Sequence, residues 1–350
     1  MSVAINGTDG ITYNDGSLQP SAIGKNLIIN GDMMIDQRNA GASATTNVNA
    51  YMTDRFQLQM GSVTNVQTYQ QVGDAPAGFN KSLKITSNST TQATAAGVLC
   101  SPRQKIEGFN TAHLNWGTAD AQTVTVSFWV KASVTGTYPV ALTNNDFTRS
   151  FVTNYTVSVA NTWEYKTVTI AGDTSGTWTI DNSTGINVMF SLDTGSTFQT
   201  TADSWQTGNY RGTSSDVHFL ANASATWQIT GVQLEAGTTA TPFEHLQYGQ
   251  QLALCQRYYE QNYGTNNYEI KIQGLTSGLT NSAFRVSKRA DATTTVYSSV
   301  TQVAGTVNNG NGNVQTSISS VISGKESFWV SMAGTSSQVY TYYFKSSAEL

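Results

Sequence analysis

The residues best suited to binding chemistry lie between Thr200 and Gly212, in the stretch TTADSWQTGNYRG. It combines two aromatic rings with an acid, an amide and a guanidinium: Trp205, Tyr210, Asp203, Asn209 and Arg211. Sugar recognition places aromatic faces against a pyranose ring and polar side chains on its hydroxyl groups. The stretch therefore predicts a shallow sugar site, with Trp178 as a further aromatic contact. The alternative is a long loop whose Trp205 packs on the fold.

Catalysis needs several groups brought together, and the sequence offers no such set. His113, His218 and His245 are far apart, and none is near a glycine-flanked serine or cysteine. Zinc, dithiol, nucleophile-elbow and phosphate-loop motifs are absent. Most acidic residues stand alone in turn contexts. We expect no enzyme activity, no cofactor and no metal. A glycan hydrolase with paired carboxylates about 5 to 10 Å apart is the catalytic alternative.

Composition restricts the class of partner. Of the 350 residues only 11% are charged, 10% are aromatic and the net charge is -4. The mild acidity and the lack of Lys/Arg clusters argue against nucleic acid, because such binding depends on neutralising phosphates. No apolar run approaches the roughly 18 residues of a membrane span, and no signal peptide opens the sequence. Cys100 and Cys255 are expected to be free buried thiols.

The elements that must position these residues are mainly strands. Residues 25–240 predict one β-sandwich, because apolar side chains alternate along runs that turn signals separate. Trp129, Trp163 and Trp227 lie in such runs and are expected in the core. The predicted strands are Leu27–Asn30, Asp54–Leu58, Asn65–Val72, Ser82–Thr86, Thr123–Lys131, Gly136–Leu142, Phe151–Ser158, Glu164–Ala171, Ile186–Leu192, Asp216–Leu220 and Thr226–Leu234.

A linking helix is predicted within residues 241–262. Thr241-Pro242-Phe243-Glu244 has the hydroxyl, proline and carboxylate spacing of a helix start, so the helix should run from about Pro242 to Tyr259. One face would carry a stripe that packs on a sheet or on sister subunits: Tyr248, Leu252, Cys255 and Tyr259. Apolar and polar side chains alternate again in residues 263–350, and this pattern predicts a smaller antiparallel β-sandwich. Residues 1–24 are too short and polar to fold alone.

Two segments resemble a known family. VQLEAGTTATPFEHLQYGQQLALCQRYYE is similar to the segment that joins the two domains of tailed-bacteriophage tail fibres and receptor-binding proteins. NLIINGDMMIDQRNAG at residues 26–41, followed by Asp54-Arg55-Phe56, resembles the opening of the same family. GITYNDGSLQPSA resembles the short arms with which phage tail components attach to the particle. The resemblance covers roughly Asn26 to the C-terminus and implies an attachment arm at residues 1–24.

The strand series also resembles the jelly rolls of carbohydrate-binding modules. It opens with NGD and closes with WQITGVQLE. In that family the first and last strands pair and often hold a structural calcium. Thr230-Gly231 stands where the family has an acidic residue, and the loss of a hard oxygen ligand weakens a calcium site. Asp32, Asp36 and Glu235 are the remaining carboxylates.

These resemblances imply a virion protein, assembled in the host cytoplasm and located in the tail. Its expected function is adhesion to a bacterial surface glycan, with other tail or baseplate proteins bound through the arm. Resemblance to fibres, not the helix stripe, implies a homotrimer. One alternative is a capsid decoration or baseplate protein that only braces its neighbours. The other alternative is the glycan hydrolase described above.

Overall fold

The computed structural model describes residues 4–6, 10–12, 18–19, 24–88, 95–262, 269–273, 278–309, 314–332 and 339–350. The chain divides into two compact units, Met1–Gln247 and Tyr248–Leu350. Strands dominate both units and pair in antiparallel ladders, which confirms the predicted all-β class with a short helix. Within the described ranges, no helix has the length and apolarity needed to cross a bilayer.

The first unit contains most of the strands. In chain order they are β1 Ala4–Asn6, β2 Gly10–Thr12, β3 Leu18–Gln19, β4 Ala44–Thr46, β5 Ala50–Tyr51, β6 Gln57–Gly61, β7 Gln67–Val72, β8 Ser82–Ser87, β9 Leu99–Glu107, β10 Val124–Ala132, β11 Gly136–Thr143, β12 Arg149–Val157, β13 Glu164–Ile170, β14 Thr184–Phe190, β15 Asp193–Thr194, β16 Ser204–Thr207 and β17 Thr226–Ala236. A short helix, α1, spans Gly108–Thr111, and 3-10 turns span Ala112–Leu114, Ser196–Phe198 and Phe219–Ala221.

Three sheets organise these strands. The first is small and has the order β1-β2-β3. The remainder of the predicted attachment arm lies outside the described residues, so docking of this arm stays a prediction. A six-stranded sheet has the order β13-β10-β17-β8-β7-β4. An eight-stranded sheet has the order β16-β12-β11-β14-β9-β6-β5, with β15 on β9.

The core lies between the six-stranded and eight-stranded sheets. Strand β10 shows why: Val124, Val126, Phe128 and Val130 are fully buried on one face, as the alternation predicts. On the neighbouring β17, Trp227 is fully buried in the same core cluster. Two sheets that each bury one face against the other form a sandwich.

Several strand predictions for this unit were wrong. Leu27–Asn30 runs through turns, and residues 216–220 form a loop that enters a 3-10 turn.

Strand β9 was not predicted from the sequence. Pro102 lies inside it, and proline normally argues against an interior strand. Pro102 pairs with Leu58 on β6. On its other side it stands between the β14 and β15 ladders, where no partner needs its missing N–H.

The helix α2 spans Tyr248–Gln256 and does not start at Pro242. The expected capping residues make tertiary contacts instead. The backbone N–H and hydroxyl of Thr241 both donate to the Glu235 carboxylate, at 2.9 and 2.6 Å. The Glu244 carboxylate accepts the N–H of Asn26 at 3.0 Å. Residues 241–244 therefore bind the end of β17 and the start of the sandwich.

The predicted stripe does not form one helical face. Tyr248 is exposed and Leu252 half-buried, whereas Cys255 is buried. Tyr259 lies beyond the helix, in the strand that follows it. The stripe therefore gives no support to the expected trimer.

The second unit contains α2 and one curled sheet. Its strands are β18 Tyr259–Gln261, β19 Ile270–Gln273, β20 Gly278–Ala283, β21 Thr293–Ser298, β22 Thr306–Asn309, β23 Val314–Ser323, β24 Ser327–Met332 and β25 Val339–Ser347. The order is β18-β25-β22-β23-β24-β20, with β19 and β21 also on β25. A separate apolar core includes Phe328, Tyr342 and Phe344. The predicted small sandwich is thus one sheet curled around its own core.

Candidate functional site

Trp205, the centre of the predicted sugar site, lies on the edge strand β16 and packs inward. Its cross-strand partner is Phe151, with ring centroids 5.4 Å apart. Its indole N–H donates to the Ala171 carbonyl at 2.8 Å. The ring is half-buried against the core. Most of its surface therefore serves packing, which was the alternative interpretation of this loop.

Trp178 joins Trp205 in a cluster that also contains Trp116. The three rings meet edge to face, with centroids 4.7 to 5.5 Å apart. Trp116 and Trp178 line a pocket of about 290 Å³ together with Ile180 and Ile186. The indole N–H of Trp178 is bonded to the Ser175 carbonyl at 3.1 Å. Trp178 and Trp205 were predicted as site residues from the sequence, whereas Trp116 was not.

The other predicted contacts lie elsewhere. Tyr210 packs against a small apolar cluster on the outer face of the eight-stranded sheet, opposite the core. Arg211 is 1% exposed and donates to the Asn209 side chain at 2.6 Å. Asp203 is exposed, at a positive φ of 65°. The structure therefore does not bring the predicted set together in one open site. Only Trp205 lies on β16, and the other four residues belong to the segments before and after this strand, which follow a different course.

A different surface presents aromatic side chains to solvent. It is an open cleft of about 630 Å³ on the outer face of the six-stranded sheet, which we call the aromatic cleft. Trp129 on β10 and Tyr165 on β13 form a cross-strand pair there, with centroids 5.3 Å apart. Tyr165 is 45% exposed. The prediction that Trp129 is a core residue was wrong.

The second wall of the aromatic cleft comes from two loops. Phe79 and Phe243 meet edge to face at 5.1 Å, and the His245 ring lies 5.4 Å from Phe79 and 4.9 Å from Phe243. Ser127, at 2% exposed, and Thr241, whose hydroxyl donates to Glu235, also line the cleft, whereas the His245 ring is exposed. Among the described residues that line the cleft, none is Asp or Glu. The lining can stack on a ring and hydrogen-bond to it.

Gly231 allows the two walls to approach each other. Its φ is +62°, and a Cβ placed there would lie 2.7 Å from Phe79 and 3.2 Å from Trp129. Glycine adopts this backbone conformation without steric cost. The pairing of β10 with β17 also shifts register between Ser127 and Trp129, as in a β-bulge. The sequence showed this glycine as a break in the alternation of β17.

The carboxylates considered for calcium have other partners. Asp36 accepts the N–H groups of Asn39 and Gly41, and Glu235 accepts those of Thr241 and Gln233. Burial raises the pKa of Asp32 and of Asp36, against the effect of their backbone hydrogen bonds. Within the described ranges, no group of three His, Cys, Asp or Glu side chains is placed to hold a metal ion.

Fold and site define an all-β protein with a two-sheet sandwich and an open aromatic cleft. No family model matches the sequence, and no curated protein matches it significantly. Part of the chain is similar to solved structures, at low identity. Bacteriophage CBA120 tailspike protein 4, in its enzymatically active domain, has 10% identity and a TM-score of 0.30, over 61% of this chain and 21% of that one.

Two carbohydrate-binding modules are similar to the same degree. TmCBM61, solved with β-1,4-galactotriose, has 10% identity and a TM-score of 0.29, over 61% of this chain and 99% of that one. The family 11 module of the cellulosomal cellulase Lic26A-Cel5E of Clostridium thermocellum has 12% identity and a TM-score of 0.27, over 63% and 99%. What each of these proteins binds or cleaves is a property of that protein.

Proposed function

We propose that this chain is a non-catalytic glycan-binding protein and that the aromatic cleft holds the sugar. The observation that carries the proposal is the pair of half-buried Trp129 and exposed Tyr165, which lines an open cleft together with Phe79 and Phe243. Aromatic side chains beside an exposed imidazole, that of His245, suit a ring with one apolar face and a polar rim.

We further propose that the chain is a tail-fibre protein of a phage virion, which adheres to its host through several copies of this site. The resemblance of residues 26–41 and of residues 232–260 supports this role. Weak sites on linked subunits gain avidity through effective concentration. The expected assembly is a trimer. Light scattering of the purified chain at micromolar concentration measures the number of subunits, and a monomer would contradict the expected trimer.

Removal of the exposed ring pair should abolish most sugar binding. We expect Tyr165→Ala and Trp129→Ala each to weaken binding about tenfold or more, because each removes a stacking surface of the size that dominates binding sites. Binding to an array of immobilised bacterial surface polysaccharides identifies the ligand, and titration calorimetry with the best ligand then measures the change. Because Tyr165 is 45% exposed, its variant should fold normally.

Trp163→Ala is the matched control, since its half-buried ring packs over Lys131 and is absent from the lining of the cleft. It should bind like the unmodified chain. The double variant Trp205→Ala/Tyr210→Ala tests the loop site predicted from sequence. If that variant loses binding while Tyr165→Ala retains it, the cleft assignment is wrong. Release of reducing ends from the bound polysaccharide would contradict the non-catalytic role.

A further inference from the structure

Two buried arginines lie at the outer face of the eight-stranded sheet, on the other side of the molecule's core from the aromatic cleft. Arg103 is 6% exposed and Arg211 is 1% exposed. Nε and Nη2 of Arg103 donate to the Gln57 side-chain oxygen at 2.9 and 2.6 Å. Nη2 of Arg211 donates to the Asn209 side-chain oxygen at 2.6 Å. Among the described residues, the side-chain acceptors of both guanidinium groups are thus neutral amide oxygens.

The two guanidinium groups share one neighbourhood. Arg103 on β9 pairs across the sheet with Met189, a member of the small apolar cluster on this face. Phe147 packs against the same cluster. The guanidinium of Arg211 lies 4.5 Å from the Phe147 ring centroid and 5.5 Å from that of Phe198. The faces of these two rings carry partial negative charge, so they attract the Arg211 guanidinium through cation–π contacts and hold its orientation.

No carboxylate among the described residues forms an ion pair with either arginine. Arg149 shows the contrast, since its Nε and Nη2 each lie 2.7 Å from a carboxylate oxygen of Asp173. Burial lowers the pKa of Arg103 to about 10 and that of Arg211 to about 9, and the charge of Arg103 contributes to the lowering at Arg211. Both groups remain cationic at neutral pH. Two neighbouring buried cations without an anion are costly to desolvate.

Polar groups on this face also lack hydrogen-bond partners within the described residues. Nε of Arg211 is one, and the side-chain oxygens of Asn187 and Thr143 are two more. Asn187 and Thr143 face each other across β14 and β11 and lie two residues from Met189 and Ala141, on the same side of the sheet. An oxyanion beside Arg211 would supply the acceptor that its Nε lacks among the described residues.

We propose that Arg103 and Arg211 bind an oxyanion: a carboxylate, phosphate or sulfate group, carried by an acidic polysaccharide or present as the free ion. Guanidinium groups match the geometry of such anions, and charge-assisted hydrogen bonds are the strong ones. The site is separate from the aromatic cleft and does not depend on its proposed function. Tyr165→Ala should leave anion binding unchanged.

Thermal unfolding of the full chain tests the proposal, with millimolar phosphate or an oligogalacturonate as probe and sodium chloride at matched ionic strength as reference. We expect either probe to raise the midpoint by about 3 °C or more for the unmodified chain. Arg103→Met and Arg211→Met should each lose this rise. In probe-free buffer they should be as stable as the unmodified chain or more so, because each removes an unpaired buried cation.

Arg149→Met is the matched control. It removes a guanidinium that has its own carboxylate, so it should lower the midpoint in all buffers and keep the rise with the probe. A rise with oligogalacturonate but not with a neutral galacto-oligosaccharide or phosphate assigns the anion to a polysaccharide, and a rise with phosphate alone assigns it to the free ion. The proposal is overturned if no probe raises the midpoint. It is also overturned if the rise persists in both Arg→Met variants.

Discussion

Trp227→Ala should destabilise the first unit by about 3 to 5 kcal/mol, the range for deleting a large buried aromatic side chain. Trp227 is fully buried, and its indole N–H donates to the Tyr155 hydroxyl at 3.2 Å. The Phe190 ring lies 6.2 Å away. Truncation opens a cavity between the sheets and also removes a buried hydrogen bond. Since whole domains are stable by only about 5 to 15 kcal/mol, the loss is a large part of the margin.

Amide hydrogen exchange of peptides from β10 and β17 measures this loss for the first unit alone. Trp227→Phe keeps most of the ring volume and should cost clearly less. Trp163→Ala is the surface comparison, because Trp163 is only half-buried, and it should change exchange in these peptides little. If Trp227→Ala lowers protection no more than Trp163→Ala does, the assignment of Trp227 to the core is wrong.

Lys288→Met should destabilise the second unit by about 3 to 5 kcal/mol, because it takes from a buried carboxylate the nearer and only buried one of two cations, leaving the exposed Arg285 guanidinium at 3.9 Å. The side chains of Lys288 and Glu260 are 0% and 2% exposed, with Nζ 2.6 Å from Oε2. Nζ also donates to the Gln256 and Val286 carbonyls, at 2.6 and 3.2 Å. Burial lowers the pKa of Lys288, whereas the Glu260 carboxylate acts in the opposite direction.

The double variant Lys288→Met/Glu260→Met distinguishes a buried ion pair from simple packing. Replacing both charges with apolar groups of similar volume is often close to neutral, so it should recover most of the stability lost in Lys288→Met. Exchange of peptides from β18 and β25 reports on this unit. Equal losses in the single and double variants would show that the lysine acts through its packing and not through its charge.

Much of the sandwich could be predicted from sequence because period-two alternation is strong where one face of a strand is buried. The apolar face of β10 is an example. The prediction failed where tertiary context replaced the local rule. Pro102 is tolerated inside β9 because one side of the strand has a gap in its ladder. Thr241 and Glu244 have the spacing of a helix cap, but their side chains bind β17 and the N-terminal segment instead.

The candidate cleft could have been predicted in part. If Phe128 and Val130 face the core, the intervening Trp129 must face outward. Tyr165 lies an odd number of positions from Val168 and Ile170, which face the core, so it must also face outward. The sequence does not show which outward strand residues are neighbours, because that depends on the pairing of β10 with β13. Nor does it show that Phe79 and Phe243, 164 positions apart, would face them. The loop at Thr200–Gly212 had a suitable composition, but its residues point to opposite faces.

The first and last residues of the sandwich are held side by side. The N–H of Leu27 donates to the Leu234 carbonyl at 2.9 Å, and the Asn26 side chain bonds to the backbone of Val232 and of Leu234. The Glu244 carboxylate accepts the N–H of Asn26. Tension applied between the two ends of this unit is therefore borne first by these bonds. Gly231 on β17 and Phe243 beside Glu244 line the aromatic cleft, so these same bonds hold one wall of the cleft in place. A load large enough to break them would therefore also widen the cleft.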